Sequence, residues 1–441
     1  MNNFFKLKEN GTSFSREVIG GITTFLAMAY ILSVNPNILA NDITGLNWNS
    51  VFTATAISAG IATLVMAFCA NLPVALAPGL GLNAFFTYTV CAGMGCSAAF
   101  ALTAVLVEGI IFILLSLFGI RQAIIKSIPS GLKKAVSVGI GLFITIIGLA
   151  NAGIAGGDTG TLIGFENFTM EHATAIVAAV GLVITIILYT LKVPGAILLA
   201  IAITTVIGIP FGVTSIPKDW SPFSTPAEPH LFHFAFAEIF STNGMILKFI
   251  VVMITFLFTD MFDTLGTLMG IAEQGNLKDS SGDIRNVKSA LMADSVGTVV
   301  GACLGTSTVT SFVESTSGVA AGARTGLASV VTGILFLLSL FFTPLFALIP
   351  AAATAPALIF VGYLMMKSVT EIDFKDPTEG IPAFITIMVM PFSYSIAKGI
   401  AWGVIAYVIA KCAGKKAKEI PLVTWILAAI FLADIIFEAC K

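Results

Sequence analysis

Two carboxylates, Asp260 and Asp263, stand near the middle of an apolar run from about Met245 to Ala272, long enough to cross a bilayer. An ionised carboxylate at that depth costs several kcal/mol, so such acids are expected to face a polar cavity or a partner and not lipid. Their three-residue spacing puts both on one face of a helix. A third acid at membrane depth, Glu314, lies in the Thr- and Ser-rich stretch 306–318, too polar and too short for an ordinary span. Upstream, Ala77-Pro78-Gly79-Leu80-Gly81-Leu82-Asn83-Ala84-Phe85-Phe86 offers a similar interrupted segment with an amide in place of the acid. Clustered carboxyls can take up and release a proton, and an amide beside them both donates and accepts. These residues predict a polar site buried in the membrane.

The elements that must hold this site are apolar almost throughout. Hydrophobic residues make up 57% of the 441 and charged residues 10%, and the mean hydropathy of +0.99 predicts an all-α polytopic membrane protein. Forty-one glycines suit close helix packing in lipid. A net charge of -2 without a basic block argues against nucleic acid as a partner. Six scattered cysteines without a CxxC pair, and three histidines, give no metal or redox framework, and no cofactor is expected. Cys91 and Cys96 are read as two packed thiols. Lys6, Lys8 and Arg16 lie in a polar start without a small-residue cleavage site, so the first span is expected to stay as an anchor.

Apolar runs predict fourteen spans, at about 18–38, 51–70, 73–94, 98–120, 131–152, 172–190 and 194–213, then about 245–272, 286–303, 306–322, 325–348, 351–368, 380–392 and 395–412. Spans three and ten, about 73–94 and 306–322, each read as an extended piece followed by a half helix, interrupted by Pro78, Gly79 and Gly81 in one and by Gly305 with the Thr/Ser run in the other. Lys6, Lys8, Arg16, Arg121, Lys126, Lys133, Lys134, Lys192, Lys278, Arg285 and Lys288 fall on one side if the spans alternate, whereas the opposite loops carry Asp42, Asp158, Glu166, Glu171 and the lone Lys218. The amino terminus is therefore expected in the cytoplasm and the chain in the plasma membrane. The apolar stretch from Pro421 to Phe437, preceded by Lys411, Lys415, Lys416 and Lys418, is either an extra span or an interfacial helix, the latter slightly favoured by Asp434 and Glu438.

Seven spans per half place a duplicated half upside down relative to the first, the inverted repeat of many secondary transporters. Thr24-Phe25-Leu26 recurs as Thr255-Phe256-Leu257, and the same offset of 231 residues carries Asn83 onto Glu314.

The chain is identified by four motifs as similar to the nucleobase:cation symporter-2 (xanthine/uracil permease) family, in its adenine/guanine/hypoxanthine permease (AzgA-like) branch. They are Gly21-Ile22-Thr23-Thr24-Phe25-Leu26-Ala27-Met28-Ala29-Tyr30 with Val34-Asn35-Pro36, then Gly79 to Phe86, then Asp260 to Leu268, then Gly305 to Thr310 with Glu314-Ser315. Arg324, Thr325 and Gly326 close the tenth span as that branch does. The resemblance implies fourteen spans in two inverted seven-span repeats, with spans 1–4 and 8–11 as a core and spans 5–7 and 12–14 as a gate. The corresponding limits are 1–120 and 245–348 for the core, 121–244 and 349–418 for the gate, and 419–441 for the C-terminal hydrophobic segment. It further implies purine nucleobase uptake coupled to protons. Asn83, Asp260 and Glu314 match the family's substrate positions, with Gly81 and Asp263 shaping the site. Where the uracil branch has a histidine, this chain has Thr264, which counts against a xanthine or uracil site.

A purine edge alternates N–H donors and ring-nitrogen acceptors, so a carboxylate can take a charge-assisted bond from it and an asparagine can meet a second edge. Phe85, Phe86 or Phe262 would stack on the ring. Glu314 is expected mainly to bind base, Asp260 to bind and sense protonation, and Asp263 with Thr264 to hold the network. Plainer roles stand beside these: Asp263 as a partner for free amides of a broken helix, Asn83 as a helix cap, and Glu108 and Asp294 as partners of nearby Ser or Thr. A sulfate-type anion transporter of the same architecture is disfavoured by three acids around one site, and an enzyme by the lack of a nucleophile arrangement. The preferred purine, sodium in place of protons, and a homodimer are left open.

Overall fold

The computed structural model describes residues 4–118, 129–156, 164–165, 172–240, 245–277 and 284–439, apart from the side chains at 165, 262, 265, 273, 434 and 437–439. Arg121, Lys126, Asp158, Glu166, Glu171 and Lys278, and the side chains of Phe262, Asp434 and Glu438, lie outside the described residues.

Helices begin where the sequence supplies a side chain able to accept from the first free amides. Ser13, Asn47, Ser97, Thr325, Asp376 and Ser395 each do so, opening Phe14–Met28, Trp48–Val65, Ala98–Leu117, Gly326–Leu338, Pro377–Phe392 and Ile396–Ala413. Lys416 donates to Asp376 Oδ2 at 2.6 Å and holds that half-buried cap well below the usual carboxylate range.

Ten described helices are long and apolar enough to cross a membrane. The other four expected spans take different forms. Residues of the third form a strand, Leu76–Pro78, a short helix, Leu80–Ala84, and a π-helical stretch, Phe85–Gly93. Those of the tenth form a strand, Val309–Ser311, and the short helix Ser315–Ala320. The seventh is the 13-residue helix Ala196–Gly208, and the thirteenth is the 16-residue helix Pro377–Phe392 with Pro382 and Pro391 inside it. The first expected span is interrupted too: Phe14–Met28 stops, and Ile31–Leu39 resumes after Ala29 and Tyr30. The C-terminal apolar stretch is one helix, Leu422–Ala439, packed on Ile396–Ala413 and Met245–Gly275.

The two strands pair antiparallel, Leu76 with Ser311, Ala77 with Thr310 and Pro78 with Val309. Gly79 N–H to the Thr308 carbonyl and Phe312 N–H to the Ala75 carbonyl, both 3.0 Å, extend the pairing. All six strand residues are buried. An extended chain deep in a membrane protein must find its backbone partners in protein, and these two segments find them in each other.

Packing sorts the long helices into two groups. In the first, Phe14–Met28 lies on Gly326–Leu338, Trp48–Val65 on Val287–Leu304 and Gly326–Leu338, and Ala98–Leu117 on Val287–Leu304 and Met245–Gly275. Glu17, fully buried, accepts from the amides of Arg324, Thr325 and Ala328 and so joins the first helix to the start of Gly326–Leu338. In the second, Ser130–Asn151 lies on Ala351–Met366 and Pro377–Phe392, Pro377–Phe392 on Ile396–Ala413, and Ala173–Thr190 on Ala196–Gly208 and Ala351–Met366. One of its close seams runs over Gly141, where an added Cβ would stand 2.8 Å from Met365 Cβ. The paired strands belong to the first group and face the second.

Candidate functional site

The Thr/Ser run before and within the second strand is extended, so successive hydroxyls point different ways and reach different helices. Thr306 Oγ1 accepts from Asn35 Nδ2 at 2.9 Å. Ser307 Oγ donates to Asn83 Oδ1. Thr308 Oγ1 donates to Glu108 Oε2 at 2.9 Å, and Thr310 Oγ1 donates to Asp263 Oδ2 at 3.3 Å. One short segment thus gathers polar groups from four others.

Where that segment ends, a cavity of ≈ 70 Å³ opens between the two helix groups. The first group contributes Tyr30, the backbone turn Gly79–Leu82, Thr259, Asp263, Thr267 and residues 311–314; the second contributes only Ile140, Ile144, Val361 and Met365. Glu314 precedes the short helix Ser315–Ala320 and accepts from the Tyr30 hydroxyl at 2.5 Å. Tyr30 stands in the two-residue interruption between Phe14–Met28 and Ile31–Leu39, and its hydroxyl reaches the carboxylate from there. Gly81 lies against Ser130–Asn151 so closely that an added Cβ would stand 2.6 Å from Ile140 Cγ2.

Of the residues singled out in the sequence, Gly81, Asp263 and Glu314 line the cavity. Asn83, Asp260, Thr264, Phe85 and Phe86 are fully buried and stand off its lining. Asn83 presents Oδ1 to Ser307, and its Nδ2 has no hydrogen-bond partner among the described residues. Phe85 is turned edge-on to Phe256, ring centroids 4.8 Å apart. Behind the cavity, the Thr264 hydroxyl lies 3.2 Å from Asp260 Oδ1 and 2.7 Å from Asp294 Oδ1. Glu108 and Asp294 therefore do bond to neighbouring threonines and are absent from the lining.

Sequence reasoning passed over Tyr30 and Phe312, the two aromatic rings among the described lining residues, and the apolar side made by the second group. Tyr30 carried one signal, a phenol at the end of the first motif. A second cavity, ≈ 290 Å³, lies along the same interface and is lined by Asn37, Asn41, Tyr88, Asn151 and Thr354 among apolar residues, with no acid among the described residues of its lining. Chemically, the smaller cavity offers two carboxylates, a phenol, threonine hydroxyls and a ring face to a small flat molecule with N–H groups on its edge.

The Xan_ur_permease profile, described as "Permease family", matches residues 15–402. The chain is 43% identical to "Guanine/hypoxanthine permease PbuG" of Bacillus subtilis over 447 residues, covering 99% of this chain and 100% of that one. It is 40% identical to "Adenine permease AdeQ" of Escherichia coli, covering 99% and 96%. Among solved structures, the transmembrane domain of the cyanobacterial bicarbonate transporter BicA superposes with a TM-score of 0.62 at 16% identity, over 88% of this chain and 97% of that chain. At that identity the likeness speaks to the fold alone.

Proposed function

This chain belongs to the Permease family, and from that premise we propose that it imports purine nucleobases, adenine, guanine or hypoxanthine, across the plasma membrane by proton symport. The observation that carries this reading is the pair of carboxylates, Glu314 and Asp263, on one side of a cavity whose other side is apolar. Relatives of near-complete overlap named as guanine/hypoxanthine and adenine permeases support the substrate class.

In this reading Glu314 takes a base N–H in a charge-assisted bond, with the Tyr30 phenol fixing the carboxylate's direction. Asp263, steadied by Thr310, takes a second edge group. Phe312 and Tyr30 supply ring contact, which adds roughly 0.5–1.5 kcal/mol beyond area burial for well-placed aromatic pairs. Asn83 supports the site from behind through Ser307. The strand pair with its following short helices is proposed as two half-spans meeting near the midplane, so that fourteen segments form two inverted repeats. Their pairing supports this: Pro78 faces Val309, which differ by the same 231 residues, and Asn83 and Glu314 follow them at equal distance in sequence. The first helix group, from 1–120 and 245–348, acts as core; the second, from 121–244 and 349–418, acts as gate. Movement of one against the other would expose the cavity alternately to each side. The amino terminus lies in the cytoplasm, from the Lys and Arg distribution.

The test is uptake of labelled hypoxanthine into cells that lack their own purine permeases, competed with adenine, guanine, xanthine and uracil, with and without an uncoupler. Saturable, uncoupler-sensitive uptake competed by adenine or guanine is the expected result. Competition by xanthine or uracil alone would reject the branch, and currents that fail to saturate would reject a carrier.

A further inference from the structure

We infer that Asp294, on a helix that contributes nothing to the cavity, forms with Asp260 a proton-holding pair joined through the Thr264 hydroxyl, and that this pair carries the coupled proton. The inference rests on the reading of the chain as a proton-coupled base carrier and goes beyond it in separating the proton from the base.

Both acids are fully buried. The Thr264 oxygen lies 2.7 Å from Asp294 Oδ1 and 3.2 Å from Asp260 Oδ1, within hydrogen-bond reach of both. A hydroxyl carries one hydrogen and can donate to one of them. The other contact becomes a hydrogen bond when that carboxyl is protonated and donates to the threonine oxygen. In the arrangement inferred, Thr264 donates to Asp294 over the shorter contact, and Asp260, when protonated, donates to Thr264 over the longer one. Two bare carboxylates on one hydroxyl in a dry interior repel each other, so the geometry counts one proton per pair, and the pair titrates as a unit.

The groups around the pair have other tasks. Asp263 faces the cavity and holds Thr310, and Glu108 of Ala98–Leu117 holds Thr308. Glu314 and Tyr30 hold each other on the cavity side. Of the bases on packed helices, Lys411 of Ile396–Ala413 is bound to Glu379 and Glu419, Lys134 of Ser130–Asn151 to Glu371, and Lys248 donates to the Met94 carbonyl. Lys288 stands in the first turn of Val287–Leu304, six residues before Asp294.

The bridge also spans two helices, since Thr264 and Asp260 lie on Met245–Gly275 and Asp294 on Val287–Leu304. Asp263, a base contact in the proposed reading, shares the first of these. A proton on Asp260 closes the bridge and sets the cavity face of Met245–Gly275. Loss of that proton to water opens the Asp260–Thr264 arm of the bridge.

The experiment uses the full-length protein in proteoliposomes, with wild type, Asp294→Asn, Thr264→Val and Thr264→Ser. Two quantities are read for each: exchange of labelled base under counterflow, and, in a separate run of net base uptake, the protons entering per base, from a pH dye in the lumen. The number of protons moved per base is expected to fall about tenfold or more in Asp294→Asn and Thr264→Val, within the range of coupling free energies between sites, and to recover in Thr264→Ser. An unaltered ratio in Asp294→Asn overturns the inference. So does equal loss of exchange and proton movement in both Asp294→Asn and Thr264→Val, which marks a structural role. Wild type that exchanges base without protons rejects the coupling, and wild type that exchanges no base rejects the functional reading and with it the pair.

Discussion

Asn83 and Glu314 stand at matching places, each five residues beyond the Pro78–Val309 strand pair, yet they are used differently. The amide is fully buried and spends its oxygen on Ser307. The carboxylate lines the cavity and holds the Tyr30 phenol. In the proposed reading, the two arms carry a structural end and a chemical end. The reason is what each element places opposite. Ser307, on the approach to the second strand, reaches Asn83, whereas Tyr30, at the interruption of the first span, donates to Glu314.

This asymmetry can be broken from the chemical end first. Glu314→Gln is expected to lower base uptake by about 100-fold, because a charge-assisted hydrogen bond is worth ~1.5–3 kcal/mol and the neutral amide also mispairs with a donor edge. Uptake rates normalised to surface expression measure it. Asp263→Asn comes next, at about 30-fold on the same scale, since its carboxylate is already partly occupied by Thr310. Gly81→Ala is expected to cost about tenfold, as overpacking against Ile140 typically costs ~1–3 kcal/mol, and a second change, Ile140→Ala, should restore most of the loss. The smallest effect belongs to the structural end. Asn83→Ala should reduce uptake by about fivefold or less, because its visible partner is a hydroxyl that can turn elsewhere, each neutral bond being worth ~0.5–1.5 kcal/mol. If Asn83→Ala abolishes transport while Glu314→Gln is mild, the two arms have been assigned the wrong way round.

Much of this site was legible because charge at membrane depth is conspicuous. Asp263, Glu314 and the two interrupted segments stood out against an apolar background, and Gly81 marked a close approach. The distinction between Asp260 and Asp263 was not legible. Three residues on a helix leave an angle of about 60° between them, enough for Asp263 to reach the cavity while Asp260 meets Thr264. Tyr30 was missed because no glycine or proline marks the break at 29–30; Pro36 lies farther along, inside the next helix. Ile140, Ile144, Val361 and Met365 were unreadable for a different reason: an apolar side chain on an apolar span does not reveal whether it faces lipid, a neighbour or a ligand. Phe85 and Phe86, picked as stacking rings, are core packing in a π-helical turn.

The four apolar residues of the second group have a mechanical meaning. Aliphatic contact is non-directional, so its energy changes little when one surface slips a few ångströms past another. Among the described lining residues, side chains able to make directional bonds stand on the opposite bank, where Glu314, Asp263 and Tyr30 lie beside the strand pair. In the proposed carrier, a passenger held this way would be gripped by the polar bank and merely brushed by the aliphatic one. It can therefore be carried without being pinned, and a derivative that grew a hydrogen-bonding arm toward the aliphatic bank would find nothing to hold, while one that filled it with bulk would act as a brake.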